Sequence, residues 1–465
     1  MSGTRFWRGL DSEIAAQVAD LRQFVTIRTF LRGLGLVYFI AFLSVGVQAA
    51  GLIGSHGILP FENFLRAIRE NFGDSAWRLA PTVLWLVPKD GALTAVWLMG
   101  CAAGIAAALG KWQRPLLAAC LVLWLSICAV GQDFLGFQWD ALLVETGFLA
   151  VFATASPVRV WLFRWLAFRL MFFSGFVKLA SHDPNWRNLT ALHYHYETQP
   201  LPNPVAWLMY QLPMSFQKFS TGLALAAELV VPFLFFLPRW WRVMAGWIMI
   251  GLQTLIFLTG NFAYFNLLAV LLMMWLFIEP ERMPRLNRID FLLPALVGLL
   301  SILVCLAQLS IPLPPGGGAI LHVAAPFEIV NSYGLFAVMT TDRDEIIVEG
   351  SSDGENWKAY EFKYKPGMLD RAPPVVAPHQ PRLDWQMWFA ALGTYQQNRW
   401  FVNFAIRLLE GQPAVTRLLA YDPFAGSRPK YVRARLWRYH FTTFGEKGWW
   451  TREFRGEYIP AVSLK

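Results

Sequence analysis

Long apolar runs alternate with short polar breaks over the first two thirds of the chain, and that rhythm predicts membrane-spanning helices. A helix rises about 1.5 Å per residue, so about 20 mostly apolar residues cross a bilayer. Runs near 34–53, 91–109, 115–132, 139–156, 158–180, 219–238, 242–259, 262–278 and 291–311 give about nine spans. The 76–90 stretch reads either as one more crossing or as a re-entrant or interfacial segment. Ahead of the first run, Leu10, Ile14, Val18, Leu21 and Val25 recur at helical spacing. They predict a cytoplasmic amphipathic segment over 1–33 that lies on the inner leaflet. The long charged stretch before Leu34 is unlike the short basic start of a cleavable signal, so the first run is expected to stay as an anchor.

The pattern changes after "PLPPGGGA" (312–319), a linker by its prolines and glycines. "EIIVEGSSDGENWKAYEFKYKPG" predicts two strands around Asp353-Gly354. "RLDWQMWFAAL" and "WFVNFAIRLLEG" predict amphipathic helices, the second stopped by Gly411. "YVRARLWRYHFTTF" alternates as a strand does. The expected fold is thus an α-helical multi-pass membrane domain over 34–311, followed by a mostly-β extracytoplasmic domain over 320–465.

Composition supports this division. The 465 residues are 56% hydrophobic and only 15% charged. Soluble chains carry about 25% charge. A net charge of +9 could point to nucleic acid, but the positive residues cluster beside apolar runs, where they set orientation, so no nucleic-acid partner is expected. Arg5, Arg8, Arg22, Arg28, Arg32, Lys111, Arg114, Arg159, Arg164, Arg239, Arg242, Arg282, Arg285 and Arg288 fall in one set of loops, which predicts a cytoplasmic amino end and a carboxy-terminal domain outside. The four cysteines lie in apolar runs without zinc-ligand spacing, and they read as small buried residues.

Charges inside apolar runs are costly and are paired or functional. They are Asp140, Glu145, Arg169, Lys178 and Glu228. Depth matching puts Arg169 level with Glu228 near the midplane, and Lys178 level with Asp140 and Glu145 toward the outer end. Such pairs either fix helix packing or line a polar pocket open to the outer side. The loop from His182 to Lys218 includes "ALHYHYETQPLPNP". Read as extended, it puts His193, His195 and Glu197 on one face. With His182 more distant, this falls short of a metal set, so no metal is expected. The prolines make it a stiff loop over the charged ends of spans four and five. No Lys-Ser/Thr follows Gly316–Gly318, and no G-x-S-x-G turn occurs, so neither a nucleotide-driven cycle nor a serine nucleophile is expected.

Several long segments resemble the lipase maturation factor family. They are "WRNLTALHYHYETQPLPNPVAW", "FQWDALLVETGFLAVF", "FRLMFFSGFVKL", "TGNFAYFNLLAV", "FEIVNSYGLFAVMT" and "WWTREFRGEYIP". The resemblance implies a membrane-anchored factor, without cofactor, that helps secreted lipases fold and assemble, with the carboxy-terminal domain engaging the client. Client-contact candidates there are Trp385, Trp388, Trp400, Trp437, Trp449 and Trp450, and the stripe of Arg433 and Arg435 opposite Val432, Ala434 and Leu436. The membrane part is also distantly similar to the vitamin K-dependent carboxylase type. That implies an alternative enzyme reading built on Lys178, His193 and Glu197. Heavy use of Arg over Lys and the "AVSLK" end favour a bacterial inner membrane over the endoplasmic reticulum, where Asn188 in "NLT" would be a glycan acceptor. The oligomeric state is left open by the sequence.

Overall fold

The computed structural model describes residues 3–280 and 288–464, with side chains from Val25 onward. The apolar stripe of Leu10, Ile14, Val18 and Leu21, and the residues Arg5, Arg8, Arg22, Arg282 and Arg285, lie outside the described side chains. The chain opens on one long helix, α1 (Gly3–Leu52). An amphipathic helix, α2 (Phe61–Phe72), follows it and buries Phe61 and Leu65. The 76–90 stretch holds only short turns and leaves Trp77, Leu86 and Val87 exposed.

The helical part continues with α3 (Asp90–Ala108), α4 (Gln113–Cys128), α5 (Gln138–Val151) and α6 (Pro157–Ala180). After the short α7 (Ala191–Thr198) come α8 (Met214–Leu229), α9 (Arg239–Thr259), α10 (Phe265–Met273) and α11 (Ile289–Gln308). Among the described residues six helices are long and apolar enough to cross a membrane: Val25–Leu52, Asp90–Ala108, Pro157–Ala180, Met214–Phe236, Arg239–Thr259 and Ile289–Gln308. The other three expected spans form shorter helices, α4, α5 and α10. The reason is packing. Leu142, Leu143, Leu268 and Leu272 have no exposure, so α5 and α10 are sheathed by protein, where a short helix is tolerated. At the centre stands α6, 72% of whose apolar window is buried against 28% for α9. Proline at its first turn suits the start, where the missing N–H is not needed.

Small residues let α1 and α3 approach. A Cβ on Gly35 would lie 2.7 Å from the Ala108 backbone nitrogen and 2.8 Å from the Gly104 oxygen. Contact of this kind holds membrane helices together where there is no hydrophobic force between them.

Within the expected linker the chain enters α12 (Gly317–Ala324). An irregular stretch then leads to the carboxy-terminal module. A four-stranded antiparallel sheet in the order β2-β1-β5-β6 is built from β1 (Arg343–Ser351), β2 (Trp357–Ala359), β5 (Tyr431–Phe441) and β6 (Trp450–Val462). The strands β3 (Glu361–Phe362) and β4 (Leu419–Tyr421) form a separate pair. The hairpin read at Asp353-Gly354 is present, with Gly350 opposite Lys358, and Gly354 takes φ 88° in its turn. The two expected helices are α13 (Arg382–Ala391) and α14 (Arg399–Leu409), and Gly411 at φ 66° follows the second.

Candidate functional site

The five intramembrane charges converge on the junction between the helical bundle and the module, but in pairs other than those expected. Asp140, at the start of α5, is 1% exposed and receives both arms of Arg382 on α13, at 2.8 Å and 2.8 Å. Tyr264 donates to the same carboxylate at 2.6 Å. Arg382 also donates to the Phe134 carbonyl at 2.7 Å, and its backbone N–H reaches Gln48 of α1 at 2.8 Å. A planar guanidinium meeting a carboxylate with two parallel bonds is the strong geometry for such a pair.

Glu145, about one and a half turns further along α5, pairs with Arg169 of α6. It also accepts from the Tyr333 hydroxyl at 2.7 Å and the Asn331 backbone at 2.9 Å. Arg169 in turn donates to the Asn331 carbonyl at 2.9 Å. The segment around Asn331 is thereby drawn into the bundle. Lys178 bonds both oxygens of Glu228, at 2.6 Å and 2.5 Å, with its ammonium 5.0 Å from the centre of the Trp186 ring. The expected Arg169–Glu228 and Lys178–Asp140 or Lys178–Glu145 pairs are therefore replaced. Depth matching misplaced two acids: Glu145 lies level with Arg169, and Glu228 lies level with Lys178, nine residues further along α6. α5 lies beside α6 at the level of Arg169, and α8 reaches α6 only near its outer end.

The histidine stretch is a helix, not an extended loop. α7 covers Ala191–Thr198, and Pro200 and Pro202 hold the chain extended beyond it. Helical spacing turns His195 away from His193 and Glu197, which stay one turn apart on a shared face. His193 stacks on Tyr210 at 5.4 Å, and burial lowers its pKa. His195 packs on Phe262 and edge-on to Phe336 at 4.9 Å. Burial, with Lys178 nearby, pushes its pKa down to about 4. Glu197 accepts from the Phe441 backbone at 2.7 Å and lies 3.7 Å from His440. Burial raises its pKa, and the Phe441 bond, His440 and Arg343 pull it back. His182 sits apart, against Arg187. Among the described residues no group of His, Cys, Asp and Glu has the arrangement to hold a metal ion. Of the residues of the alternative enzyme reading, His193 and Glu197 lie one turn apart on α7 and meet Tyr210 and the Phe441 backbone, while Lys178 ends on Glu228.

What α7 does is clip the module. Arg343 of β1 donates to the carbonyls of Glu197 at 2.8 Å, Gln199 at 2.5 Å and Pro200 at 3.0 Å, and pairs with Glu345 at 2.7 Å. Trp388 Nε1 donates to the Thr198 carbonyl at 2.8 Å. Further clips are Trp139 to Gln380 at 2.7 Å and Asn261 to Pro374 at 2.9 Å. Sequence reading missed Arg343, Arg382, Asn331 and Tyr333. One signal pointed to such partners: two acids near the outer end of span four faced a single lysine, so a second cation had to come from elsewhere.

The client-contact candidates divide by burial. Trp385, Trp388, Trp400 and Trp450 are 3%, 8%, 2% and 2% exposed, so they are core and not surface. Trp385 packs on Trp139 with ring centres 4.9 Å apart, across the junction. Trp437 and Trp449 are partly exposed. The expected alternation of β5 holds, with Val432 and Ala434 each 1% exposed and the arginines on the other face. That face is not a bare basic stripe. Arg433 pairs with Glu349 at 2.7 Å and covers Trp357 at 4.0 Å. Arg435 lies 4.6 Å from the centre of the Phe454 ring, and Arg452 lies 4.5 Å from that of Trp437.

The chain matches two families in succession: the lipase maturation factor transmembrane domain over residues 25–282 and the lipase maturation factor C-terminal domain over 329–460. It is 36% identical to lipase maturation factor 2 of Gallus gallus over 94% of this chain and 81% of that protein. It is 35% identical to lipase maturation factor 2 of Homo sapiens, over 94% of this chain and 82% of the relative. With lipase maturation factor 1 of Bos taurus it shares 35% identity, over 98% of this chain and 92% of the relative. No solved structure matches the chain.

Proposed function

Because this chain belongs to the lipase maturation factor family, we propose that it is a membrane-anchored factor that assists the folding of secreted, lipase-like proteins, with the carboxy-terminal module as its client-facing part. The observation that carries this reading is the rigid attachment of the module. Buried polar groups from four separated stretches of the bundle hold it, at Gln48, at Trp139 and Asp140, at the Glu197 and Pro200 carbonyls, and at Asn261, so it presents a fixed surface. A holding factor needs apolar and aromatic surface and no fuel. The outer face of β5 and β6 supplies it through Trp437, Arg435, Arg452 and Phe454, the last 48% exposed. Exposed Phe444 and partly exposed Trp449 form a second aromatic cluster with Trp207, at 5.2 Å and 5.1 Å.

The charges at the two ends of the helices support a sidedness. Arg159 pairs with Asp290, and Arg242 with Glu279, at the end far from the module. The module attaches at Gln48, Asp140 and Asn261 on the other end. The positive-inside rule then leaves the module outside the cytoplasm. We place it on the outer face of a bacterial inner membrane.

The test is crosslinking and co-purification from native membranes with the full chain as bait. A secreted hydrolase should be recovered with the wild type and lost with Phe454→Asp, while membrane abundance is unchanged. Equal recovery with both chains would contradict the assignment of this face.

A further inference from the structure

On the module side of the bundle, α11 and α12 diverge and leave a half-open cleft of about 600 Å³. Its walls are Leu300, Val304 and Ala307 of α11 and Leu321 and Ala324 of α12. Its floor is Gln138, Val177 and the segment Val330–Gly334. That segment is held down by the Glu145–Arg169 pair through Asn331 and Tyr333, so the floor is rigid. The volume lies within the roughly 300–1,000 Å³ range of ligand sites.

Three features define what fits. First, none of the lining residues carries a charge, so an ionised head finds no counter-ion. Second, the side-chain oxygen of Gln138 is buried without a hydrogen-bond donor among the described residues, while Ser332 is exposed at the floor. A buried acceptor left without a donor is costly, and a ligand that donates there relieves the cost. Third, the walls are themselves apolar, through Leu300, Val304, Ala307, Leu321 and Ala324. The cleft is half-open, and α11 is one of the helices long and apolar enough to cross a membrane, so an acyl chain can enter from the bilayer.

We propose that this cleft binds a neutral, hydroxyl-headed lipid of the monoacylglycerol type. The hydroxyl donates to Gln138 Oε1 and the acyl chain lies between α11 and α12. The site stands apart from the client face on β5 and β6, so each can fail without the other.

The probe is a monoacylglycerol with a diazirine on its acyl chain, irradiated with the purified full chain in lipid nanodiscs. Labelled peptides should come from 300–308 and 321–334, and unlabelled monoacylglycerol should compete better than the fatty acid of the same chain length. Ala307→Trp and Ala324→Trp fill the cleft from opposite walls, and each should abolish this labelling in protein that still elutes as a single folded species. Gln138→Leu keeps the chain slot and removes the acceptor. It should weaken competition by monoacylglycerol about tenfold and leave competition by the corresponding methyl ester unchanged. Labelling spread evenly over the lipid-facing helices of the wild type, as for annular lipid alone, would overturn the proposal. So would labelling of 300–308 that survives both tryptophan variants.

Discussion

The buried junction and the outer face of the β5–β6 sheet both hold arginines against acids and aromatic rings, yet they are built for opposite ends. At the junction Arg382 and Asp140 are 0% and 1% exposed and bonded to each other, to the Phe134 carbonyl and to Tyr264. On the sheet face Arg433 and Arg435 share Glu349 and lie half-exposed over Trp357 and Phe454. Removing one partner from a buried pair strands the other charge away from water, whereas an exposed pair is screened. The difference teaches which arginines hold the molecule together and which are free to meet something else.

The largest effect should come from Arg382→Met. It leaves Asp140 buried with only Tyr264 for company, and should cost about 3–5 kcal/mol. Thermal unfolding in detergent measures it. Adding Asp140→Leu in the same chain should recover most of the loss, because two apolar groups replace the pair. A single variant as stable as the wild type would remove the junction from the account. Next comes Tyr333→Phe, which deletes one donor to the Glu145 carboxylate and should cost about 1.5–3 kcal/mol. A negligible change there would mean that the 330–334 segment is not pinned by this network.

A pH series probes the same junction through α7. Folding lowers the pKa of His195 from its ordinary 6.5 to about 4. The folded chain therefore binds fewer protons than the unfolded chain between those values. His195 contributes its full stability above about pH 6.5, and that contribution is lost as pH falls toward 4. Glu197 has the opposite sign, since its raised pKa favours the folded state at low pH. His195→Phe keeps an aromatic ring between Phe262 and Phe336, and should flatten the fall in melting temperature between pH 6.5 and 4. An acid limb as steep as that of the wild type would contradict this placement of His195. The smallest effect on stability is expected on the sheet face, where Phe454→Asp should shift unfolding by no more than about 0.5 kcal/mol while abolishing client recovery. A large loss of stability would instead make that face part of the core.

Much of this was legible in the sequence, with limits set by physics. Runs of about 20 apolar residues announce long helices because hydrocarbon demands them. α5 and α10 escaped that rule because protein rather than lipid surrounds them, a fact of tertiary packing. Asp140, Glu145, Arg169, Lys178 and Glu228 stood out because a charge in an apolar run is conspicuous. Their partners did not, because Arg382 sits in "RLDWQMW", where an arginine on an amphipathic helix reads as a solvent-facing residue. Nothing local says that it meets a carboxylate 242 positions away. The alternation in "HYHYE" suggested an extended path, but the helix sends the two imidazoles to different sides, His193 onto Tyr210 and His195 between Phe262 and Phe336.

The central claim is that the bundle and the carboxy-terminal module form one body locked by buried cross-segment charges. Spin labels on α2 at Glu70 and on β2 at Lys358, both exposed, report it directly through pulsed dipolar spectroscopy in nanodiscs. The account predicts a single narrow distance distribution in the wild type that broadens in Arg382→Met. A broad distribution in the wild type, or a narrow one untouched by Arg382→Met, would contradict it.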